Sequence, residues 1–243
     1  MSFRPPDQFA GDPNALEDVE RATMRFVCQG VSQILEVATG QFAEIPLGSN
    51  VKDNANYLGE DLTRLALDRI GAPRVPDGRL FGAVDFKLAA YQFLPEFAVR
   101  QALLVDSKAE KNALNNARVQ VTQTSLEIRQ VRGAQPIAIQ GLIPPVWAAS
   151  GVDYLTTTIL VKYHYREAGG SLGLRRVTIA ALPSGFLQAV YNPSAAEGIW
   201  NVGPDAPTLG EKFRTRLNFT LLEQKASWRV QRMTPGEDWQ FRE

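Results

Sequence analysis

Apolar positions along the first part of the chain recur at three- and four-residue intervals. From Leu16 to about Ala38 the set Leu16, Val19, Ala22, Met24, Phe26, Val27, Val31, Ile34, Leu35 and Val37 predicts a helix with one face turned to a core, stopped by Gly40. A loop holding Asn50, Asp53, Asn54 and Asn56 leads to a second helical pattern, Leu58 to Ile70, closed by Gly71-Ala72-Pro73. Cys28 falls among the apolar neighbours of the first helix and reads as a small core residue.

After the turn sequence Pro76-Asp77-Gly78 the period changes to that of strands. Leu80–Lys87 and Ala98–Ala109 are predicted strands. The uninterrupted run Ala102-Leu103-Leu104-Val105 marks the second as interior, covered on both faces. Lys111–Val131 is polar and is expected to be partly helical. Beyond Pro144-Pro145, the Thr-, Ile-, Val- and Tyr-rich stretch Leu155–Arg166 predicts a strand. The turn Ala168-Gly169-Gly170-Ser171 then pairs it with Leu174–Leu182 as a hairpin. Ser184 caps a short helical pattern, Gly185–Tyr191. A Gly- and Pro-rich loop, Asn192–Gly210, precedes a strand Glu211–Phe219 and a shorter one near Trp228–Met233. Without a repeat, a low-complexity tract or a linker, residues 1–243 are expected to form one α/β (α+β) domain, a mixed central β-sheet flanked by helices.

Composition narrows the chemistry. The 243 residues are 44% hydrophobic and 21% charged, as in ordinary globular proteins, and 26 basic residues balance 26 acidic ones, so any affinity for a polyanion must come from a local basic face. One cysteine and one histidine exclude an internal disulfide, a Cys/His zinc site and a Cys–His–Cys deaminase centre. They leave His164 as the sole candidate for histidine-based catalysis. No apolar run approaches membrane-spanning length, and the opening MSFRPPDQF lacks the order of a signal peptide. The expected location is the cytoplasm, with no membrane partner.

Asp106-Ser107-Lys108 ends the interior strand. Residues two apart in a strand share a face, so Asp106 and Lys108 emerge together, while Ser107 points away and leaves its backbone carbonyl near the same edge. Asp85, ending the preceding predicted strand, can meet Asp106 there. Two carboxylates and a carbonyl form a hard oxygen site for Mg²⁺, and an adjacent lysine can stabilise developing charge: the constellation of metal-assisted phosphodiester hydrolysis. The acid-x-Lys spacing is not specific. It also occurs at Asp85-Phe86-Lys87 and Glu223-Gln224-Lys225, and a structural ion pair between Asp106 and Lys108 is the competing account.

A second pattern lies at Glu211–Phe219, where Lys212, Arg214, Arg216 and Asn218 alternate with Phe213, Thr215, Leu217 and Phe219. The apolar face can seal on the core and leave a row of donors outside. Taken alone, the row also suits a solvated edge strand with protective charges. Lys111, Asn112, Asn115, Asn116 and Arg118 follow the acid-x-Lys strand and are either contacts to a bound duplex or a solvated polar helix face. Lys162, His164 and Arg166 alternate along another strand, with Arg175 and Arg176 on its hairpin partner. His164 reads there as a strand or interface residue.

Several blocks, in order, resemble the SfiI family of type II restriction endonucleases. They are Phe81-Gly82-Ala83-Val84-Asp85-Phe86-Lys87, Leu103-Leu104-Val105-Asp106-Ser107-Lys108-Ala109 with Glu110-Lys111-Asn112, and Thr156-Thr157-Thr158-Ile159 with Tyr163-His164-Tyr165-Arg166-Glu167. Tyr191-Asn192-Pro193 and Gly210-Glu211 through Arg214-Thr215-Arg216 to Trp228-Arg229 complete the set. The resemblance spans roughly Leu16 to Arg232. It implies the PD-(D/E)XK restriction-endonuclease-like fold and Mg²⁺-dependent, sequence-specific cutting of double-stranded DNA. It places catalytic roles on Asp85, Asp106 and Lys108, metal ligation on Asp85, Asp106 and the Ser107 carbonyl, and DNA contacts on Lys111, Asn112, Arg118, Lys212, Arg214 and Arg216. The arginines in that set imply a G·C-rich target, because their fork matches the O6 and N7 acceptors of guanine.

A palindromic site needs two symmetry-related active sites, so a homodimer or homotetramer is implied, the target being an interrupted palindrome. Glu60-Asp61 also resembles the family. Acids in the first turn of the predicted second helix complement its dipole, the reading preferred here over a supporting role for Glu60 at the metal. A structure-selective DNA nuclease and a catalytically inactive DNA-binding relative are the alternatives.

Overall fold

The computed structural model describes residues 3–72, 88–111, 114–203 and 215–243. Three helices open the fold: α1 (Pro13–Gln33), α2 (Leu35–Ala43) and α3 (Val51–Arg69). Strands β1 (Leu88–Leu94), β2 (Val99–Glu110), β3 (Asn116–Val119), β4 (Ile128–Arg132), β5 (Gln135–Ile139), β6 (Val146–Ala149), β7 (Val152–Ala168) and β8 (Ser171–Leu182) follow. A short helix α4 (Gln188–Tyr191), β9 (Trp200–Val202), β10 (Thr215–Asn218), α5 (Phe219–Lys225) and β11 (Val230–Met233) complete the described elements.

The central sheet runs β1-β2-β7-β8-β11, with β6 paired to the first residues of β7. Among the described strands only β2 and β7 are parallel neighbours; β1/β2, β7/β8, β6/β7 and β8/β11 are antiparallel. The expected mixed sheet is therefore present, and the Leu155–Leu182 hairpin forms as β7 and β8. Strands β2 and β7 feed two cores, Leu160 by alternation with its neighbours and Val99 and Leu155 by their places at the strand starts. Leu103, Val105, Ile159, Val161 and Tyr163 face α1, α2 and α3. Val99, Leu155 and Leu160 face a second layer that includes the sheet β3-β10-β9, α5 and the start of α1. Cys28 is fully buried in the first core, as expected.

Several elements depart from the sequence reading. The first helix breaks at Ile34, and Gly40 lies inside α2 instead of stopping the helix. The loop expected around Asn50–Asn56 is the start of α3. Asp53 complements its dipole in the first turn, and burial of Ala55 fixes this end on the core. The polar stretch expected to be partly helical is instead β3, a 3₁₀ turn Val121–Gln123 and the beginning of β4. Ala117 and Val119 alternate into the second core, and Gln120 and Gln123 close a reciprocal cap. Ser184 does cap the next turn, its side chain accepting from the Phe186 amide. The predicted strand Leu80–Lys87 lies outside the described residues; β1 begins immediately after it.

Two glycines set how closely α3 approaches. A Cβ on Gly30 would stand 2.5 Å from the Ala66 carbonyl oxygen, so α1 and α3 meet backbone to backbone. A Cβ on Gly59 would stand 3.2 Å from Ser107 Oγ and 3.3 Å from the Tyr163 ring. Helix α3 thus rests directly on the ends of β2 and β7, where the acid-x-Lys motif lies.

Candidate active site and nucleic-acid interface

The end of β2 carries Asp106, Ser107, Lys108 and Glu110 to the edge of the core, with Ala109 still buried in it. Alternation sends Asp106 and Lys108 to one face: Lys108 Nζ lies 2.6 Å from Asp106 Oδ2. Ser107 points to the other, where Thr63 Oγ1 of α3 sits 3.2 Å from its Oγ and also meets Tyr163 OH at 3.1 Å. Burial pushes the Tyr163 phenol well above its ordinary pKa, so this hydroxyl stays neutral. The side-chain geometry expected of Asp106, Ser107 and Lys108 is what the strand delivers.

Asp106 is held from outside its own strand. Its Oδ1 accepts from Gln123 Nε2 at 2.8 Å, and Gln123 Oε1 in turn accepts from the Gln120 amide. Its Oδ2 is buried and accepts no well-directed hydrogen bond among the described residues, although the Lys108 ammonium is close. A buried carboxylate oxygen that accepts no directed hydrogen bond and lies at a cleft is a donor of the kind a hard divalent cation takes. Asp85, the other acid expected here, lies outside the described residues.

This pair opens into a cleft of about 990 Å³. One wall is the N-terminal half of α3, with Lys52, Asn56, Tyr57 and Glu60; the opposite wall carries Arg118, Gln120, Gln123 and Arg216. Glu60 is therefore not a first-turn acid. The helix begins nine positions earlier, at Val51, so the dipole reading fails and Glu60 stands at the cleft instead.

The basic wall is built by β10, which is central in its three-stranded sheet and not the edge strand that the sequence alone allowed. Thr215 and Leu217 are buried while Arg216 and Asn218 face outward, in the expected alternation. Arg216 stands opposite Arg118 of β3 and donates from Nη1 to Asn116 Oδ1 at 2.9 Å. Asn218 is spent internally: its Oδ1 accepts from the Leu221 amide and caps α5. Lys111 reaches the cleft rim and pairs with Glu167 at 2.7 Å. Asn112, Lys212 and Arg214 lie outside the described residues. His164 is buried, its Nε2 3.0 Å from Thr178 Oγ1, which agrees with a strand residue.

Sequence reasoning missed Gln123, Glu110, Lys162 and the α3 wall. Lys162 of β7 stands beside Lys108 in the parallel ladder and is fully buried. Its Nζ pairs with Glu110 Oε2 at 2.8 Å and donates to the carbonyls of Asn116 at 2.7 Å and Leu114 at 3.2 Å. Burial lowers its pKa from the ordinary lysine value, partly offset by Glu110. The strict alternation Lys162-His164-Arg166 carried a signal for it; its burial follows from its place in the stretch 155–165 of β7, which is buried throughout.

Among the described residues no helix is long and apolar enough to cross a membrane. The family model described as type II restriction enzyme SfiI matches residues 18–233. The type II restriction enzyme SfiI of Streptomyces fimbriatus is 30% identical over 238 residues, covering 93% of this chain and 87% of the relative. The crystal structure of tetrameric SfiI bound to cognate DNA superposes with a TM-score of 0.77 at 25% identity, covering 92% of this chain and 86% of that one. The restriction endonuclease BglI bound to its DNA recognition sequence shares the fold, with a TM-score of 0.71 at 15% identity over 96% of this chain and 95% of that one. A motif at the end of an interior strand, a basic wall facing it and a match across most of the length converge: this chain belongs to the SfiI family of type II restriction enzymes.

Proposed function

We propose that this chain makes Mg²⁺-dependent double-strand cuts in DNA at an interrupted, G·C-rich palindrome, acting as a homodimer or homotetramer. The observation that carries the reading is the Asp106–Lys108 pair, presented by an interior strand to a cleft whose facing wall holds Arg118 and Arg216. Asp85, Asp106 and the Ser107 carbonyl would hold the ion, which when bound supplies Lewis-acid polarisation of the scissile phosphate and the attacking water. Gln123 fixes the rotamer of Asp106, leaving one carboxylate oxygen for the site. Lys108 stands beside the attacking water and stabilises the negative charge that builds on the phosphate. Attack in line breaks the P–O3′ bond; the water's oxygen stays on phosphorus and the leaving oxygen takes up a proton. The ends are then 5′-phosphate and 3′-hydroxyl.

Arg216, with Lys212 and Arg214, reads base edges in the major groove, each bidentate guanine contact contributing about 1–3 kcal/mol of discrimination. Arg118, Lys111 and Asn112 contact the duplex beside the cut. Sequence-specific cutting by a symmetric enzyme requires a second active site related by two-fold symmetry, which a dimer supplies and a tetramer duplicates. Support for assembly and for DNA as substrate comes from the SfiI structure, a DNA-bound tetramer. The test is digestion of DNA of known sequence with and without Mg²⁺, followed by sequencing of the fragment ends. Discrete fragments with 5′-phosphate ends, formed only with the ion, support the reading. Undigested DNA, or cutting confined to branched substrates, overturns it.

A further inference from the structure

Lys162 poses a physical question that the reaction does not answer. A lysine is almost never fully buried unless paired, and an apolar residue at this position of β7 would avoid the desolvation entirely. Its ammonium has three N–H donors. Two carbonyls accept from it, those of Leu114 and Asn116, and the Glu110 carboxylate pairs with it at 2.8 Å. All three lie on the segment that carries the chain from β2 to β3. The described residues at both ends of that segment are therefore tied to one point charge fixed on a neighbouring strand.

That segment joins two parts of the site. Glu110 is on β2, two residues beyond Lys108, and Lys108 is the Cα partner of Lys162 in the parallel ladder. Asn116 begins β3 and holds Arg216 through its side chain while its carbonyl is held by Lys162. A continuous path thus runs from Asp106 and Lys108 through Glu110 and Lys162 to Asn116 and Arg216, each step either one strand or one polar contact. We infer that Lys162 and Glu110 are positioning residues that set the placement of the base-reading strand relative to the cleaving carboxylate, so that recognition and cutting stay in register.

The inference rests on the reading of Asp106, Lys108 and Arg216 given above. Its chemistry is geometric. Base contacts fix β10 on the duplex, and a displacement of about 1 Å between that strand and the catalytic group can cost about a hundredfold in rate. Lys162→Met keeps the apolar stem and removes the ammonium; Glu110→Leu removes the carboxylate from the less buried end; Glu110→Gln keeps an oxygen acceptor. Cleavage rates under single-turnover conditions are compared at the cognate site, identified from the fragment ends, and at sites altered by one base pair. Binding to a duplex without the site and thermal melting are measured alongside.

Lys162→Met and Glu110→Leu are expected to lower the ratio of cognate to altered-site cleavage by about three- to thirtyfold, the range of coupling along packed networks. Binding to the unspecific duplex stays at the wild-type level, and Glu110→Gln restores most of the ratio. A uniform loss of rate at all sites, tracking only a lower melting temperature, overturns the inference. So does a wild-type ratio in Glu110→Leu, which serves also if Lys162→Met does not fold. Arg216→Ala separates the two layers of the argument: if it leaves the ratio unchanged, the recognition reading itself fails. If it collapses the ratio while the Lys162 and Glu110 variants do not, only the coupling fails.

Discussion

Two cation–carboxylate pairs in this protein use the same charges in opposite ways. Arg229 and Glu20 are both 0% exposed, whereas Lys108 and Asp106 are 13% and 16% exposed at the cleft. Glu20 is saturated: Oε2 accepts from Arg229 at 2.6 Å and Oε1 from the Ser184 amide at 2.8 Å. The guanidinium lies between the rings of Tyr191 and Trp228, 4.3 Å from each centroid. Such a pair ties α1, the Ser184 turn and the segment before β11 together, with both carboxylate oxygens engaged. Asp106, in contrast, keeps a buried oxygen without a directed hydrogen bond. Both carboxylate oxygens of the buried pair are engaged within the core, whereas the cleft pair keeps one carboxylate oxygen beside a partly exposed lysine.

The contrast can be broken most severely at Arg229. Arg229→Met strands Glu20 in the core and is expected to destabilise the fold by about 3–5 kcal/mol, whereas a joint Arg229→Met, Glu20→Leu replacement recovers most of that loss. Denaturant unfolding of the two variants checks it, and the folded fraction should still cut DNA at the wild-type rate. At the other pair the effect moves from stability to rate. Gln123→Leu releases Asp106 Oδ1 and is expected to slow cleavage about 10- to 100-fold, while unfolding shifts by only about 1 kcal/mol.

The smallest effect is expected at Ser107. Its assigned contribution is a backbone carbonyl, and Thr63 Oγ1 keeps the Gly59 carbonyl and Tyr163 OH as partners when the serine hydroxyl is removed. Ser107→Ala should cost about 1 kcal/mol or less in stability and leave cleavage rates within about threefold of wild type. A larger loss of rate at unchanged stability would move the role from the carbonyl to the hydroxyl.

The parts of this site that could be read from the chain were those governed by local periodicity. Alternation alone put Asp106 and Lys108 on one face and Arg216 opposite the buried Leu217, and the apolar run Ala102–Val105 marked β2 as interior. What escaped depends on distant partners. Gln123 meets Asp106 across 17 positions and Lys162 meets Asn116 across 46, and neither spacing follows from a strand or helix period. The stretch after Lys111 looked helical because β3 has only four residues, too few alternations to outweigh its polarity. Glu60 was misread because α3 begins at Val51, among polar residues that carry no apolar period, and is fixed there by burial of Ala55.

The central claim is that the Asp106–Lys108 pair at the cleft does the cutting. Asp106→Ala and Lys108→Ala, each purified and shown by melting to be folded, are incubated with Mg²⁺ and DNA carrying the cognate site. The account expects cleavage to fall by at least about 10²–10³-fold in both, with binding to that site retained. Cutting at the wild-type rate by either folded variant would contradict it.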